Sequence, residues 1–478
     1  MSTKVTTAQS TPTGIKQLSI ASNKVENGSV SLVNGTLSVM YYESILQDSV
    51  MSVVTFADTG NSVPDPKDKK KRKSVMEGLP LVGSEKALLE IVDGNDVSLK
   101  LDLYVNDPNS VSERTTKNLS TIQLVSREFE RNEESRVNIK FEGKISDHIT
   151  KILTDKRFLD TDKNLDIEET SNSFSYIGNN KKPFYVLNVL SGRCVPNGQG
   201  SLGNTAGFFF FETSEGFKFK SIDSLLGQDL KKRIIYNETP DSRGANIPEG
   251  YDIKALTYVN NNRMNVQKKL MLGYQSTKIE TFNPYTEEYS VSTLNSEDFV
   301  DAYELGGKEL YTLNPEFEVK GTRKTFVIQS VGVNPTGTTD QQLKKSKDED
   351  FEFTKILNQS IMRYNQLFSS KVEITIPGDF SLHAGDVIQF DAPSAQSDTK
   401  NDEVDRKNGG LYIISSLCHF VSIKGTYTKI DLVRDSIGRK VSSSDTSKPK
   451  PATPTKIPGV KPSSEIKPDT RRSTTTTF

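Results

Sequence analysis

Three histidines, two cysteines and 62 acidic residues are the side chains from which this 478-residue chain could build catalytic or metal chemistry. A thiol and an imidazole adjoin only at Cys418 and His419. Neighbouring residues of a strand point to opposite faces, so this pair cannot share a proton or a metal directly, and both are expected to pack within a sheet. His148 lies beside Ile149 near a helix start, and His383 lies in the turn Leu-His-Ala-Gly-Asp; neither has a motif partner. Residues 198–203, Gly-Gln-Gly-Ser-Leu-Gly, satisfy the G-x-G-x-x-G pattern that lets a backbone approach a pyrophosphate. Their context is wrong, because Pro196 and Asn197 stand where a strand should end and Phe208–Phe211, a strand signal, follows where a helix should begin. Asp160, Asp162 and Asn164 occupy the first three ligand positions of an EF-hand loop, yet Leu165 replaces the turn glycine and Ser171 the bidentate glutamate. Carboxylate pairs for glycoside hydrolysis have no visible spacing, and the chain has no tryptophan to stack on a sugar. No P-loop, H-E-x-x-H or G-x-S-x-G occurs. The expectation is therefore no catalytic, no cofactor-binding and no metal-binding residues, and a binding or structural protein rather than an enzyme.

The elements that would position these residues are mainly strands. Ser-Val-Ser-Leu-Val-Asn-Gly-Thr-Leu-Ser-Val-Met-Tyr-Tyr predicts a hairpin around Asn34-Gly35, and runs from Leu79 to Phe141 predict successive antiparallel strands. Residues 15–143 then form one barrel or sandwich, carrying a long exposed basic loop at 61–78. Ile145, Ile149, Ile152 and Leu153 recur at helical spacing behind Ser146, a good N-cap. Pro183 suits a helix start, and Phe208–Phe211, Ser214-Glu215-Gly216 and Phe217/Phe219 form a tight hairpin followed by a helix from Ser221. Residues 144–240 thus predict a small α+β domain. The runs 255–262, 268–282 and 287–294, Lys268–Leu272 among them, look strand-like, Phe351–Phe368 presents one apolar helix face, and alternating strands follow with a turn at Lys424-Gly425. Residues 241–437 predict a second barrel with an inserted segment at about 291–350. The first 14 residues and the Ser/Thr/Pro/Lys-rich tail, 438–478, have too little apolar material to offset ordering entropy.

Composition narrows the function classes. With 61 Lys and Arg against 62 Asp and Glu, net charge −1, no overall field draws the chain to DNA or anionic lipid. Two cysteines cannot make a disulfide framework. No run approaches 18 apolar residues, and the N-terminus is polar where a signal peptide is apolar. The reading is a soluble, multidomain, β-rich protein with no membrane association, in which Lys69–Lys73 is a solvated loop.

Several stretches together resemble the central baseplate hub protein of contractile-tailed bacteriophages. They are LVGSEKALLEIVDGN with LKLDLYV at 81–105, SREFERNEESRVNIKFEGKISDHITKIL at 126–153, KKPFYVLNVLSGRCV at 181–195, GFFFFETSEGFKFKSIDSL at 207–225, LHAGDVIQF at 382–390, and GGLYIISSLCHFVSIKGTYTKIDLVRDS at 409–436. They cover about 80–437 in the expected order, and each is a fold signature rather than a catalytic motif.

The resemblance implies a mainly β and α+β fold, two tail-tube-like antiparallel β-barrels flanking a small α+β domain, in a homotrimer that forms a pseudo-sixfold ring. It implies an adaptor joining the sixfold tail tube protein to the threefold central spike protein, with genomic DNA only in transit through the channel. Permanent interfaces above about 2,000 Å² would be expected. The Lys-rich loop and the tail depart from the family pattern and would face outward, toward other baseplate proteins. The site is the virion tail baseplate, assembled in the host bacterial cytoplasm. Two other readings stand beside it: the hub of a non-phage contractile injection system, and a β-rich glycan or cell-wall hydrolase.

Overall fold

The computed structural model describes residues 14–436 except 25–28, 59, 61–62, 65–70, 114–117, 199–204, 237–246, 248–249, 262–265, 285, 299–320, 330–336, 350–352, 394–404 and 406–407. The expected loose N-terminus, apart from Gly14, and the 438–478 tail lie outside these residues. The chain is mostly β, and 14 of its strands join one sheet.

The first half contains β1 (Gly14–Ala21), β2 (Ser29–Ser31), β3 (Thr36–Ser44), β4 (Met51–Asp58), β5 (Val63–Pro64), β6 (Arg72–Lys73), α1 (Val75–Gly78), β7 (Lys86–Val92), β8 (Ser98–Glu113) and β9 (Asn118–Val125). Strand β4 buries every second side chain, as Met-Ser-Val-Val-Thr-Phe-Ala-Asp requires of a sheet with one inner face. Antiparallel pairing runs β1–β7–β8–β9–β4–β3. The stretch 29–44 joins the two edges, since β2 pairs with β1 while β3 pairs with β4. Residues Val33–Gly35 between them form a 3-10 turn, with Gly35 N–H donating to Leu32 O at 3.0 Å. The hairpin expected at Asn34-Gly35 does not form. A type I′ turn needs positive φ at both residues, and neither has it; a side chain at Gly35 would meet Ala57 O at 3.0 Å. The basic stretch also differs from expectation. Val63 and Val75 are buried in the first-half core beside Leu18 and Leu89, and Ser74 Oγ caps α1. Val63 and Val75 hold the described ends of the stretch on the sheet, while Lys71 and Arg72 are exposed.

The middle of the chain holds α2 (Arg127–Glu134), β10 (Lys140–Phe141), α3 (Ile145–Thr154), β11 (Leu165–Ile167), β12 (Tyr176–Ile177), α4 (Pro183–Ser191), β13 (Phe208–Thr213), β14 (Gly216–Ser221) and α5 (Ile222–Leu226). The strand expected to run on through Ser126–Glu130 stops at Val125. Arg127–Glu134 is a helix whose buried Glu128 and Asn132 share one face. Most of the strand expected at 135–143 is irregular, with only β10 laddered, against β12. Helix α3 begins one residue before Ser146, whose N–H is satisfied instead by Thr170 Oγ1 at 3.0 Å. Its Ile145, Ile149, Ile152 and Leu153 are fully buried, as their spacing predicts. Pro183 opens α4, and Ser221 Oγ caps α5 by accepting from Ser224 N–H. The β13–β14 hairpin splits its phenylalanines: Phe208, Phe210, Phe217 and Phe219 fill the middle core, and Phe209 and Phe211 face a separate cluster with Ile413 and Val433. The two-faced burial locks the middle unit onto the second half.

The second half contains β15 (Lys232–Tyr236), β16 (Ile253–Ala255), β17 (Thr257–Asn260), α6 (Val266–Leu272), β18 (Ser276–Asn283), β19 (Glu288–Asn295), β20 (Arg323–Ile328), α7 (Thr339–Glu349), α8 (Phe353–Leu367), β21 (Ser370–Pro377), β22 (Val387–Asp391), β23 (Gly410–Ser422) and β24 (Gly425–Arg434). Lys268–Leu272, expected as strand, belongs to helix α6. Strands β18, β19 and β20 form a separate three-stranded sheet backed by α8, with Asn358 Nδ2 donating to Ser292 O. Strand β15, within the stretch expected to be α+β, pairs with β22 in the large sheet. Pairing runs β15–β22–β23–β24–β21–β17, and 253–260 joins the edges because β16 pairs with β15 and β17 with β21.

The two halves therefore repeat one strand order: β1, β2/β3, β4, β7, β8 and β9 match β15, β16/β17, β21, β22, β23 and β24. Even irregularities coincide, for β8 bulges between Val105 and Asp107 and β23 between Ile414 and Ser416. The turn leading into β7 reads Leu81-Val-Gly-Ser-Glu85, and that leading into β22 reads Leu382-His-Ala-Gly-Asp386. In the first, Ser84 N–H donates to Val105 O and Val105 N–H to Glu85 O; in the second, Gly385 N–H donates to Ile414 O and Ile414 N–H to Asp386 O. One difference breaks the match: β1 is antiparallel to β7, whereas β15 is parallel to β22.

Candidate assembly interface

Strand β23 is 13 residues long and outlasts β22, leaving one side of its far end to another partner. Strand β3 takes that side in antiparallel register from Ser416↔Ser44 to Ser422↔Ser38, so one ladder fuses the two halves. The inward residues Val39, Tyr41, Leu417, His419 and Val421 are all buried. Tyr41 and His419, directly opposite, stack with centroids 6.1 Å apart and planes 5° from parallel.

Glu43 stands at the centre of this joint and ties three parts of the chain together. Its carboxylate accepts from Tyr41 Oη at 2.9 Å, from Ser214 N–H of the middle hairpin at 2.8 Å, and from Ala384 N–H of the second half at 3.0 Å. His383 Nδ1 lies 3.4 Å from the same carboxylate. Burial alone would raise the Glu43 pKa, but the bonds and charge from His383 and the two backbone donors outweigh it and hold it below the usual range. Burial opposes protonation of His383, and Glu43, Glu215 and Asp386 reverse that and raise its pKa. A fully buried carboxylate with this many donors is a structural clamp.

Two further contacts cross the same region. Asp93 accepts from Phe380 N–H at 2.9 Å, linking the turn after β7 to the second half. Lys163 bridges two buried carboxylates, Glu128 at 2.6 Å and Glu212 at 2.5 Å, and Glu212 also accepts from Val50 N–H at 3.0 Å. Burial would lower the Lys163 pKa, yet Glu212 and Glu128 raise it overall, while burial and Glu128 lift Glu212 despite Lys163.

The residues singled out by type are dispersed by the fold. His419 is fully buried with Nδ1 2.9 Å from Thr428 Oγ1, and burial drives its pKa down to about 4. Cys418 lies on the opposite face of β23, half-buried, and burial raises its pKa. His148 is buried with Nε2 2.7 Å from Phe174 O, and burial lowers its pKa. His383, which has no motif partner in the sequence, acquires Glu43 and Glu215 from distant segments. Asp160, the first residue of the EF-hand-like run, is held by Arg127 at 3.0 Å. Residues 199–203 of the glycine motif lie outside the described residues. Among the described residues no group of three or more His, Cys, Asp or Glu side chains is placed to hold a metal ion, and no helix is long and apolar enough to cross a membrane.

Glu43 carries no sequence mark, because it sits in an ordinary alternating strand and its partners lie 171 and 340 residues away. The duplicated Leu-x-x-x-acid turn was visible in the letters at 81–85 and 382–386, and it marks the equivalent points of the two halves.

No protein-family profile matches the sequence, and no curated protein matches it. Among solved structures, the chain is similar to the 43 kDa tail protein of prophage MuSo2 from Shewanella oneidensis, with TM-score 0.49 and 9% identity over 88% of this chain and 98% of that one. It is similar to a tail protein from Neisseria meningitidis MC58, with TM-score 0.47 and 7% identity over 88% and 96% of the two chains. An E. coli component of the type VI secretion system, described as structurally similar to T4 bacteriophage tail proteins, aligns with TM-score 0.37 and 8% identity over 85% and 76%. These three structural neighbours are two tail proteins and a component of a secretion system.

Proposed function

We propose that this chain is the structural baseplate hub of a phage contractile tail, a homotrimeric adaptor between a sixfold tail tube and a threefold central spike. The observation that carries the reading is the duplication: two halves of the same strand order, fused edge to edge through β3 and β23. Each half is read as a tail-tube-like barrel. Two near-equivalent barrels per chain give three chains six near-equivalent positions, while the single middle unit of each chain gives three. That arithmetic lets a threefold partner and a sixfold partner share one ring, and a cyclic ring closes through heterologous contacts.

The role is mechanical, without a catalytic centre. Clamps such as Glu43 and Lys163 hold the two barrels and the middle unit as one body. A net charge of −1 suits a channel through which DNA passes without being held. The partners are the central spike protein, the tail tube protein and other baseplate proteins, and the location is the virion tail.

The test is the native mass of the full chain by light scattering, alone and mixed with a candidate spike protein. A mass of three chains, or a three-to-three complex on mixing, is expected. A stable single chain in both conditions overturns the proposal.

A further inference from the structure

The two halves differ most in what joins one pair of matching strands. Strands β3 and β4 are connected by residues 45–50, whereas their counterparts β17 and β21 are separated by 261–369. The added stretch holds the sheet β19–β18–β20 and helix α8, and it occurs once in the chain. The first half completes the same strand order without such an addition, so the added sheet serves something other than that order.

The two faces of this sheet are unlike. On the inner face Thr277, Ile279 and Thr281 are buried beneath α8, where Thr281 Oγ1 lies 2.6 Å from Thr354 Oγ1 and Asn358 Nδ2 donates to Ser292 O at 3.1 Å. On the outer face the registers set Phe282 between Tyr289 and Ile328, Glu280 between Val291 and Phe326, and Lys278 between Thr293 and Lys324. Tyr289, Val291, Phe326 and Ile328 are 54%, 50%, 60% and 65% exposed. All four stand on regular strands rather than at loop tips, and with the partly buried Phe282 they form one continuous apolar block. Single exposed apolar side chains are ordinary, but a block that crosses three strands marks an interaction surface.

Resting on the baseplate reading above, we propose that this outer face binds an acidic amphipathic helix of another baseplate protein, one per chain and therefore three per ring. Shape supports a helix, because α8 covers the opposite face of the same strands, and a sheet containing a parallel pair with apolar residues on both faces is normally covered by helices on both.

Charge supports an acidic one. The row next to the start of β18 is Thr293, Lys278 and Lys324, and the far row is Tyr289, Phe282 and Ile328. Lys278 Nζ lies 2.7 Å from Glu280, so the carboxylate of this face already has its cation, and exposed Lys324 leaves the row with excess positive charge. A helix whose apolar stripe covers Tyr289, Phe326 and Ile328 and whose Asp or Glu side chains fall over Lys324 matches both ends of the face. A basic helix would meet like charge.

The test uses the tagged full chain, co-purified with each baseplate protein encoded beside it, expressed one at a time. Phe326→Asp and Ile328→Asp place a charge in the block, and Ile423→Asp, at a 78% exposed side chain on the β23–β24 turn, is the control. One baseplate protein is expected to bind the unaltered chain one to one, to lose at least about tenfold in affinity to either block variant and to keep its affinity for the control. Lys324→Glu should weaken the same complex at low salt and weaken it less at high salt. The block variants should keep the melting temperature and native mass of the unaltered chain. A lowered melting temperature would mean that the chain covers this face itself, and a changed native mass that a second copy does. Binding to vesicles of anionic phospholipid but to no baseplate protein would make it a lipid surface. Each of these overturns the proposal, as does a bound baseplate protein indifferent to the block variants or the absence of any bound baseplate protein. The ring reading stands through all of them if light scattering of the unaltered chain gives three chains, and it falls separately if that mass is of one chain.

Discussion

Glu43 on β3 and His383 in the turn before β22 are 340 positions apart in sequence, yet both are buried and their side chains approach to 3.4 Å. The same carboxylate holds backbone N–H groups from the middle unit and the second half, so a single side chain couples three parts of the fold. Glu43→Ala leaves those donors and the imidazole without their acceptor. Loss of one member of a buried charged set typically costs about 3–5 kcal/mol. Urea unfolding should show that loss, and a change below about 1 kcal/mol would mean the clamp is dispensable.

The histidines set opposite slopes of stability against pH. His419 falls from 6.5 to about 4 on folding, so the unfolded chain binds more protons between those values, and stability drops as pH falls through that window. At about 1.4 kcal/mol per pH unit the full effect is about 3 kcal/mol. His148 acts in the same direction. His383 is raised, so its contribution is complete below 6.5 and is lost as pH rises through its folded value. Its partner Glu43 is lowered, and that contribution is present above 4.5 and lost as pH falls through the folded value. Unfolding measured from pH 4 to 9 should show His419→Gln flattening the acid side and His383→Gln the alkaline side.

Lys163 bridges the buried Glu128 and Glu212. Lys163→Met should cost about 3–5 kcal/mol at neutral pH. Because Glu212 is raised in the folded chain, the deficit should shrink as pH is lowered and the carboxyl takes up its proton. Adding Glu128→Gln and Glu212→Gln to the same chain should restore part of the stability, which thermal melts would reveal.

Gly216 ends the β13–β14 turn with φ +129°, and a Cβ there would lie 2.2 Å from Asn164 O. Gly216→Ala combines backbone strain with a backbone clash, and a loss of about 2 kcal/mol or more is expected. Gly192 has φ below zero and nothing within 4 Å of an added Cβ. Gly192→Ala should leave the melting temperature within a few degrees, which makes it the matched control.

Local order was legible where the pattern was local. Helices Ile145–Thr154 and Phe353–Leu367 follow from apolar spacing, and the Phe208–Ser221 hairpin from two aromatic runs around a turn. Asn34-Gly35 misled because the dipeptide permits a type I′ turn without compelling one, and β2 found a better edge on β1. The β3–β23 ladder joins residues more than 370 positions apart, and nothing in Thr36–Ser44 or Ser416–Ser422 names the other. Glu43 follows from that ladder and could not be found before it. The duplication was written in the letters only at the Leu-x-x-x-acid turns, since insertions of different length separate every other matching pair.

The most direct test of the account is the rotational symmetry of the purified full-length particle in averaged end-on electron micrographs. The account predicts a ring of six similar lobes around an open centre, with true symmetry of three. A ring with any other symmetry, or particles of a single chain, would contradict it.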